Sequence, residues 1–266
     1  MIIQYNGTNY LGWQVQKEGK TIAGTLQDTF KKVFNHEITI IGASRTDAGV
    51  HALSQVATFA CPLVIEPERM QWAWNNLLPD DIRIITLEIV ADDFNIYAQI
   101  MQKTYVYHVF TKRPSPFVAP YGYTYYQTLD VKKLYDALQE FVGTHDFRSF
   151  CTGDDREHTV RRVDEITVMP IMEQDVYDLL VTGSKKQSMQ KGDTSDGYRI
   201  TVKGPGFLRY MIRRMIGAAL FVASHEYALP TTIKKALEEK NPNQTLPNAP
   251  AQGLVLVDIL YAKDRI

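Results

Sequence analysis

The chain is short of cysteine, of net charge and of long apolar runs. Only two cysteines occur, Cys61 and Cys151, in 266 residues. Two thiols at that distance form no ligand spacing for zinc and no redox pair, and a disulfide framework is not expected. Lysine plus arginine number 29 against 30 aspartates plus glutamates. A balance so close to neutral excludes a polycation, so any nucleic-acid contact must come from a local basic surface. No apolar run is long enough to span a bilayer. The N-terminus has no basic flank followed by an apolar stretch, so neither secretion nor a membrane anchor is expected, and the cytoplasm is the expected compartment. What is present is a composition of 45% hydrophobic and 22% charged residues. Those proportions fit a globular protein with a sizeable core, as one large domain or two ordinary ones.

Periodicity separates the elements. Residues 2–5 read as a strand. Ile22, Leu26, Phe30, Val33 and Phe34 recur at helical spacing, with Thr21 as N-cap. Apolar segments 38–41 and 56–59 read as strands on either side of a small-residue turn. A helix starts at Pro67, a residue suited to a first helical turn, and strands are expected at 82–89 and 104–110. Asp130 caps a helix that stops at Gly143. Segments 163–169 and 176–181 read as a strand pair, 183–197 as an exposed hairpin loop, and 198–202 as a strand. Leu208, Met211, Ile212, Met215, Ile216, Ala219 and Leu220 form a strong helical stripe, and 254–260 is the last strand. Strands outnumber helices without regular alternation, so a doubly wound parallel sheet is disfavoured and an α+β fold is expected. The boundary is placed near 102: an N-terminal α+β domain over 1–102 and a C-terminal one over 103–266.

The chemistry centres on Ser44-Arg45-Thr46-Asp47-Ala48-Gly49-Val50-His51-Ala52. In an extended segment residues two apart share a side, so Arg45 can pair with or orient the Asp47 carboxylate while Thr46 packs the other way. Ala48 and Gly49 keep bulk away from the acid. A carboxylate in such a turn can serve as nucleophile or base. By residue type alone the same run reads more readily as an ordinary surface turn with a local ion pair, because such turns are common. Between Tyr198 and Arg214 the cations Arg199, Lys203, Arg209, Arg213 and Arg214 occur with no acid, and Lys103, Lys112 and Arg113 form a second group; both could meet phosphates. Gly204-Pro205-Gly206 begins like a dinucleotide fingerprint, but Arg209 stands at the third glycine position. The histidines lack ligand spacing, so no metal is expected.

Six segments in order resemble the TruA-type tRNA pseudouridine synthases. They are Asn6-Gly7-Thr8-Asn9-Tyr10-Leu11-Gly12-Trp13-Gln14; Ser44 through Ala52; Asn75-Asn76-Leu77-Leu78-Pro79-Asp80-Asp81-Ile82; Lys103-Thr104-Tyr105-Val106-Tyr107; Gly206-Phe207-Leu208-Arg209-Tyr210-Met211-Ile212-Arg213; and Gly253-Leu254-Val255-Leu256. The resemblance implies two ferredoxin-like halves forming one extended, mainly antiparallel sheet with a basic cleft between them. It implies a homodimer in which one tRNA touches both subunits, and isomerisation of uridine to pseudouridine at positions 38–40 of the anticodon stem-loop. Asp47 takes the position of the catalytic aspartate, with Arg45, Tyr105 and Arg213 beside it in the catalytic set. Phe207 and Leu256 stand as apolar walls for the everted base, and Arg209, Arg214 and Lys203 as substrate contacts. Bonds broken and bonds formed balance in this isomerisation, so no cofactor is expected. Tyr97 stands where the family often carries arginine. The rival reading of the same residues is a protein that binds and remodels tRNA with little turnover.

Overall fold

The structure is a computed structural model, and it describes residues 1–152, 158–183 and 195–262. In chain order the elements begin with β1 (Ile2–Tyr5), α1 (Ile22–Phe34), β2 (Ile41–Gly42), β3 (His51–Thr58), α2 (Pro67–Asn75), β4 (Ile82–Thr86) and β5 (Ile100–Phe110). They continue with β6 (Tyr123–Thr124), α3 (Val131–Gln139), β7 (Gly143–Asp146), β8 (Val160–Val163), β9 (Glu165–Ile171) and α4 (Glu173–Thr182). The last are β10 (Gly197–Gly204), α5 (Met211–Ser224), α6 (Thr231–Glu239) and β11 (Leu254–Tyr261). The fold is α+β, with strand pairs that are mainly antiparallel.

The chain divides into two compact units, Met1–Met101 with Val255–Ile266, and Gln102–Leu254. The expected division gave the last strand to the second half. The structure instead groups it with the first, because β11 pairs in parallel with β3, Val255 opposite His51 and Leu256 opposite Ala52. In this first unit β1 lies between β3 and β4, antiparallel to both. The unit's core is aromatic: Trp74 of α2 meets Phe30 of α1 edge-on at 4.8 Å and Phe59 at 5.5 Å. The Trp74 indole N–H is satisfied by the Leu26 carbonyl at 3.2 Å, as a buried indole requires. The α1 helix begins where Thr21 accepts from the Gly24 N–H and ends on Asn35 in the left-handed conformation, two standard terminal devices.

In the second unit β10 lies between β5 and β9, antiparallel to both, and β7 with β8 forms a separate antiparallel ribbon. Asp130 caps α3 by accepting from the Lys133 N–H at 3.0 Å. Segment 176–181, expected as a strand, is the body of helix α4. Its valines and tyrosine favour strands by composition. The ends decide otherwise: the Asp175 carboxylate accepts from the Met172 N–H at 2.8 Å, and Gly183 closes the helix at φ 68. Val176 and Leu179 are buried at helical spacing, with Val176 in a cluster with Phe110, Val118 and Ile171. Most of the loop expected at 183–197 lies outside the described residues.

Candidate active site

The Asp47 turn is built by the loop that follows β1. The Trp13 N–H donates to the Thr46 carbonyl at 3.0 Å and the Gly49 N–H to the Tyr10 carbonyl at 3.2 Å. Gly12 makes this approach possible. It has φ +94, and a Cβ there would stand 2.5 Å from the Thr46 carbonyl oxygen, a position only glycine fills without strain. The turn itself closes through the Val50 N–H on the Asp47 carbonyl at 3.1 Å. Thr46 points inward, as alternation predicts, and its hydroxyl meets the Tyr5 hydroxyl at 2.7 Å. Asp47 is half-buried and Arg45 exposed.

Several supports of the turn lie beyond what residue patterns disclose. The Gln55 amide bridges the turn to β1: its oxygen accepts from the Ser44 N–H at 3.2 Å, and its nitrogen donates to the Ser44 carbonyl and the Tyr5 hydroxyl. The Gly7 N–H donates to His51 Nδ1 at 3.2 Å, which makes that ring nitrogen an acceptor and places the proton of a neutral imidazole on Nε2. Tyr10 donates its hydroxyl to Asp81, and the Asn6 N–H donates to the Asp81 carbonyl at 2.9 Å. Burial first, then the bond to Asp81, raises the Tyr10 pKa. The first three matched segments therefore converge on one turn. Leu256, fully buried, is brought beside β3 by β11.

The other candidates belong to the second unit. Tyr105 is buried on β5, and its ring meets Phe207 edge-on at 5.5 Å. Arg213 stands in the first turn of α5, where Nε donates to the Ala249 carbonyl at 2.8 Å. Arg209 is exposed, with its guanidinium 5.0 Å from the Tyr210 ring centroid. Arg214 donates to the Ser149 carbonyl at 3.5 Å. Lys203 forms an ion pair with Glu165 at 2.6 Å, directly across the β9–β10 ladder. Arg199 is a correction: grouped by sequence with phosphate-facing cations, it is instead buried, donating to the Asp175 carbonyl at 2.7 Å and to His108 at 3.3 Å. Its role is to satisfy the interior. Among the described residues no cluster of histidine, cysteine or acidic groups could hold a metal, and no helix is long and apolar enough to cross a membrane.

Lys103 is buried too, two residues before Tyr105 on the same strand face. Burial, with Arg161 nearby, lowers its ammonium pKa to about 8. An unfolded lysine titrates near ~10.4. Below about pH 8 the charged group penalises folding in full, and the penalty is relieved as pH rises through the window between the two values. Wild-type protein is therefore expected to gain stability relative to Lys103→Met, by up to ~3 kcal/mol between about pH 8 and 10.5. Urea denaturation of both proteins across that range checks this; a difference that does not change with pH would refute it.

The profile of the tRNA pseudouridine synthase family matches residues 1–97 and 137–262. A tRNA pseudouridine synthase A of Thermodesulfovibrio yellowstonii is 36% identical, covering 98% of each chain. One of Pseudothermotoga lettingae is 33% identical over 99% of this chain and 97% of its own, and one of a Thermoanaerobacter species 32% identical over 98% of each. With the aspartate turn and the arginine helix inside the residues the profile matches, and with relatives aligned over nearly the whole chain, the chain belongs to the tRNA pseudouridine synthase family.

Proposed function

We propose that the protein converts uridine to pseudouridine at positions 38–40 of the tRNA anticodon stem-loop, working as a homodimer in the cytoplasm. The family assignment makes it an isomerase acting on tRNA. In that reaction the bond from C1′ of the ribose to N1 of uracil breaks and one from C1′ to C5 forms; the proton leaves C5 and N1 gains one. Asp47 is the carboxylate of the reaction, by attack on the sugar, attack on the base or proton removal. Arg45 beside it is the flanking cation of the set. Tyr105 and Phe207 supply an aromatic pair for the everted base, since a flipped uracil needs stacking partners to offset the lost pairing and stacking, whereas Leu256, fully buried, backs the β3–β11 pair beneath the turn. Arg213 stands with Asp47 in the catalytic set, and Arg209, Arg214 and Lys203 contact the RNA; for Lys203 this requires exchange of its Glu165 partner for phosphate.

The observation that carries this reading is the Asp47 turn. Three separated segments spend backbone and side-chain hydrogen bonds on holding one half-buried carboxylate. An incidental surface ion pair needs no such frame. The test is to map pseudouridine in tRNA incubated with and without the protein. Modification confined to positions 38–40 is expected. Modification elsewhere would remove the site assignment, and stable tRNA binding with no modification would favour a binding protein.

A further inference from the structure

We infer that Tyr210 is a positioning residue that sets the guanidinium of Arg213 through its aromatic ring. Tyr210 immediately precedes α5 with φ 61 and ψ 0, the left-handed conformation. Helix N-caps are ordinarily extended, and a bulky residue with positive φ is an outlier. Three other non-glycine residues share the feature among the described residues, Asn35, Gln99 and Lys240. Asn35 and Lys240 end helices, where this conformation is common. Tyr210 begins one, and its side chain makes no capping hydrogen bond.

The ring explains the choice of residue. The Arg213 guanidinium carbon lies 5.1 Å from the ring centroid and that of Arg209 lies 5.0 Å away, both within cation–π range. Arg209 also donates to the Tyr210 hydroxyl at 3.4 Å. Arg213 is held besides by the Ala249 carbonyl on Nε, and its own carbonyl accepts from the Ala249 N–H at 3.0 Å. Asparagine or glycine would adopt this backbone at lower cost. Tyrosine therefore stands here for its ring. Strain kept at a site residue by surrounding contacts is the pattern expected of a functional constraint.

This inference rests on the reading that Arg213 serves the reaction, so Arg213→Ala is measured in parallel with Tyr210→Asn, Tyr210→Gly and Tyr210→Phe. Tyr210→Asn and Tyr210→Gly relieve the backbone and remove the ring. Both are expected to lower kcat about tenfold, with KM for tRNA within about twofold and a melting temperature no lower than wild type. Tyr210→Phe keeps the ring and is expected to stay within about twofold of wild type. Wild-type kcat in Tyr210→Asn and Tyr210→Gly, with Arg213→Ala slow, would overturn the role of Tyr210 alone. Tyr210→Phe as slow as Tyr210→Asn would also overturn it, because the hydroxyl would then be the working group. Losses in both ring-less variants that vanish when kcat is expressed per folded molecule would show a structural role only. Arg213→Ala at the wild-type rate would remove the arginine from the mechanism and this inference with it.

Discussion

Asp47→Asn is expected to lower the rate of pseudouridine formation by at least ~10³-fold, with tRNA affinity within about threefold of wild type. The substitution is nearly isosteric. The turn is closed by backbone groups, with the Val50 N–H on the residue 47 carbonyl and the Trp13 and Gly49 N–H groups on the Thr46 and Tyr10 carbonyls. Those bonds do not need the carboxylate, so the frame should survive. What is lost is the negative charge and the basic, nucleophilic oxygen, and an amide replaces neither. Single-turnover release of the C5 proton measures the chemistry, and filter binding measures affinity. Full activity in Asp47→Asn would end the assignment of this residue. Loss of binding together with activity would mean that the turn had been damaged instead.

The second large effect is expected at a residue with no side chain. Gly12→Ala should lower turnover on the order of 10²-fold, because placing a catalytic group about 1 Å wrong costs that much. A Cβ at residue 12 would lie 2.5 Å from the Thr46 carbonyl oxygen, 3.0 Å from the Asp47 carbonyl carbon and 3.1 Å from the Ala48 nitrogen. All three are backbone atoms of the turn, so relief requires moving the turn itself. The positive φ adds roughly 1–2 kcal/mol of strain for alanine, and a total stability loss of about 2–4 kcal/mol is expected. Gly206→Ala is the control for stability: a Cβ there meets nothing within 4 Å, and its φ is not positive. Denaturation midpoints and turnover rates for the pair check this. A Gly12→Ala protein as stable and fast as wild type would show that the loop does not set the turn.

The sequence discloses elements whose ends carry strong signals. Thr21, Pro67 and Asp130 mark the starts of α1, α2 and α3, and all three act where spacing places them. Residues 176–181 misled because Val, Tyr and Leu suggest a strand while the deciding groups, Asp175 and Gly183, sit outside the apolar run. Helix α6 escaped notice because only Ile233, Ala236 and Leu237 of its nine residues are buried, a stripe too thin to stand out. At the site the same division holds. The Asp47 segment is legible because its residues are contiguous. The Tyr10–Asp81 and Gly7–His51 bonds join residues 71 and 44 positions apart, and no local pattern encodes such a pairing. The basic run from 198 to 214 is visible as composition, but whether an arginine in it faces inward, as Arg199 does, is decided by packing.

The parallel seat of β11 against His51 and Ala52 has a consequence for the order of events during synthesis. Those two residues follow directly on the carboxylate turn, and they gain this neighbour only from residues near the far end of the chain. A chain cut short after the first hundred residues keeps the Tyr5–Ala52 pairing of β1 with β3 but leaves the opposite edge of β3 open at these positions to other chains. Covering of this edge therefore waits for Val255 and Leu256, and products truncated before them are expected to associate through β3 more readily than the full chain.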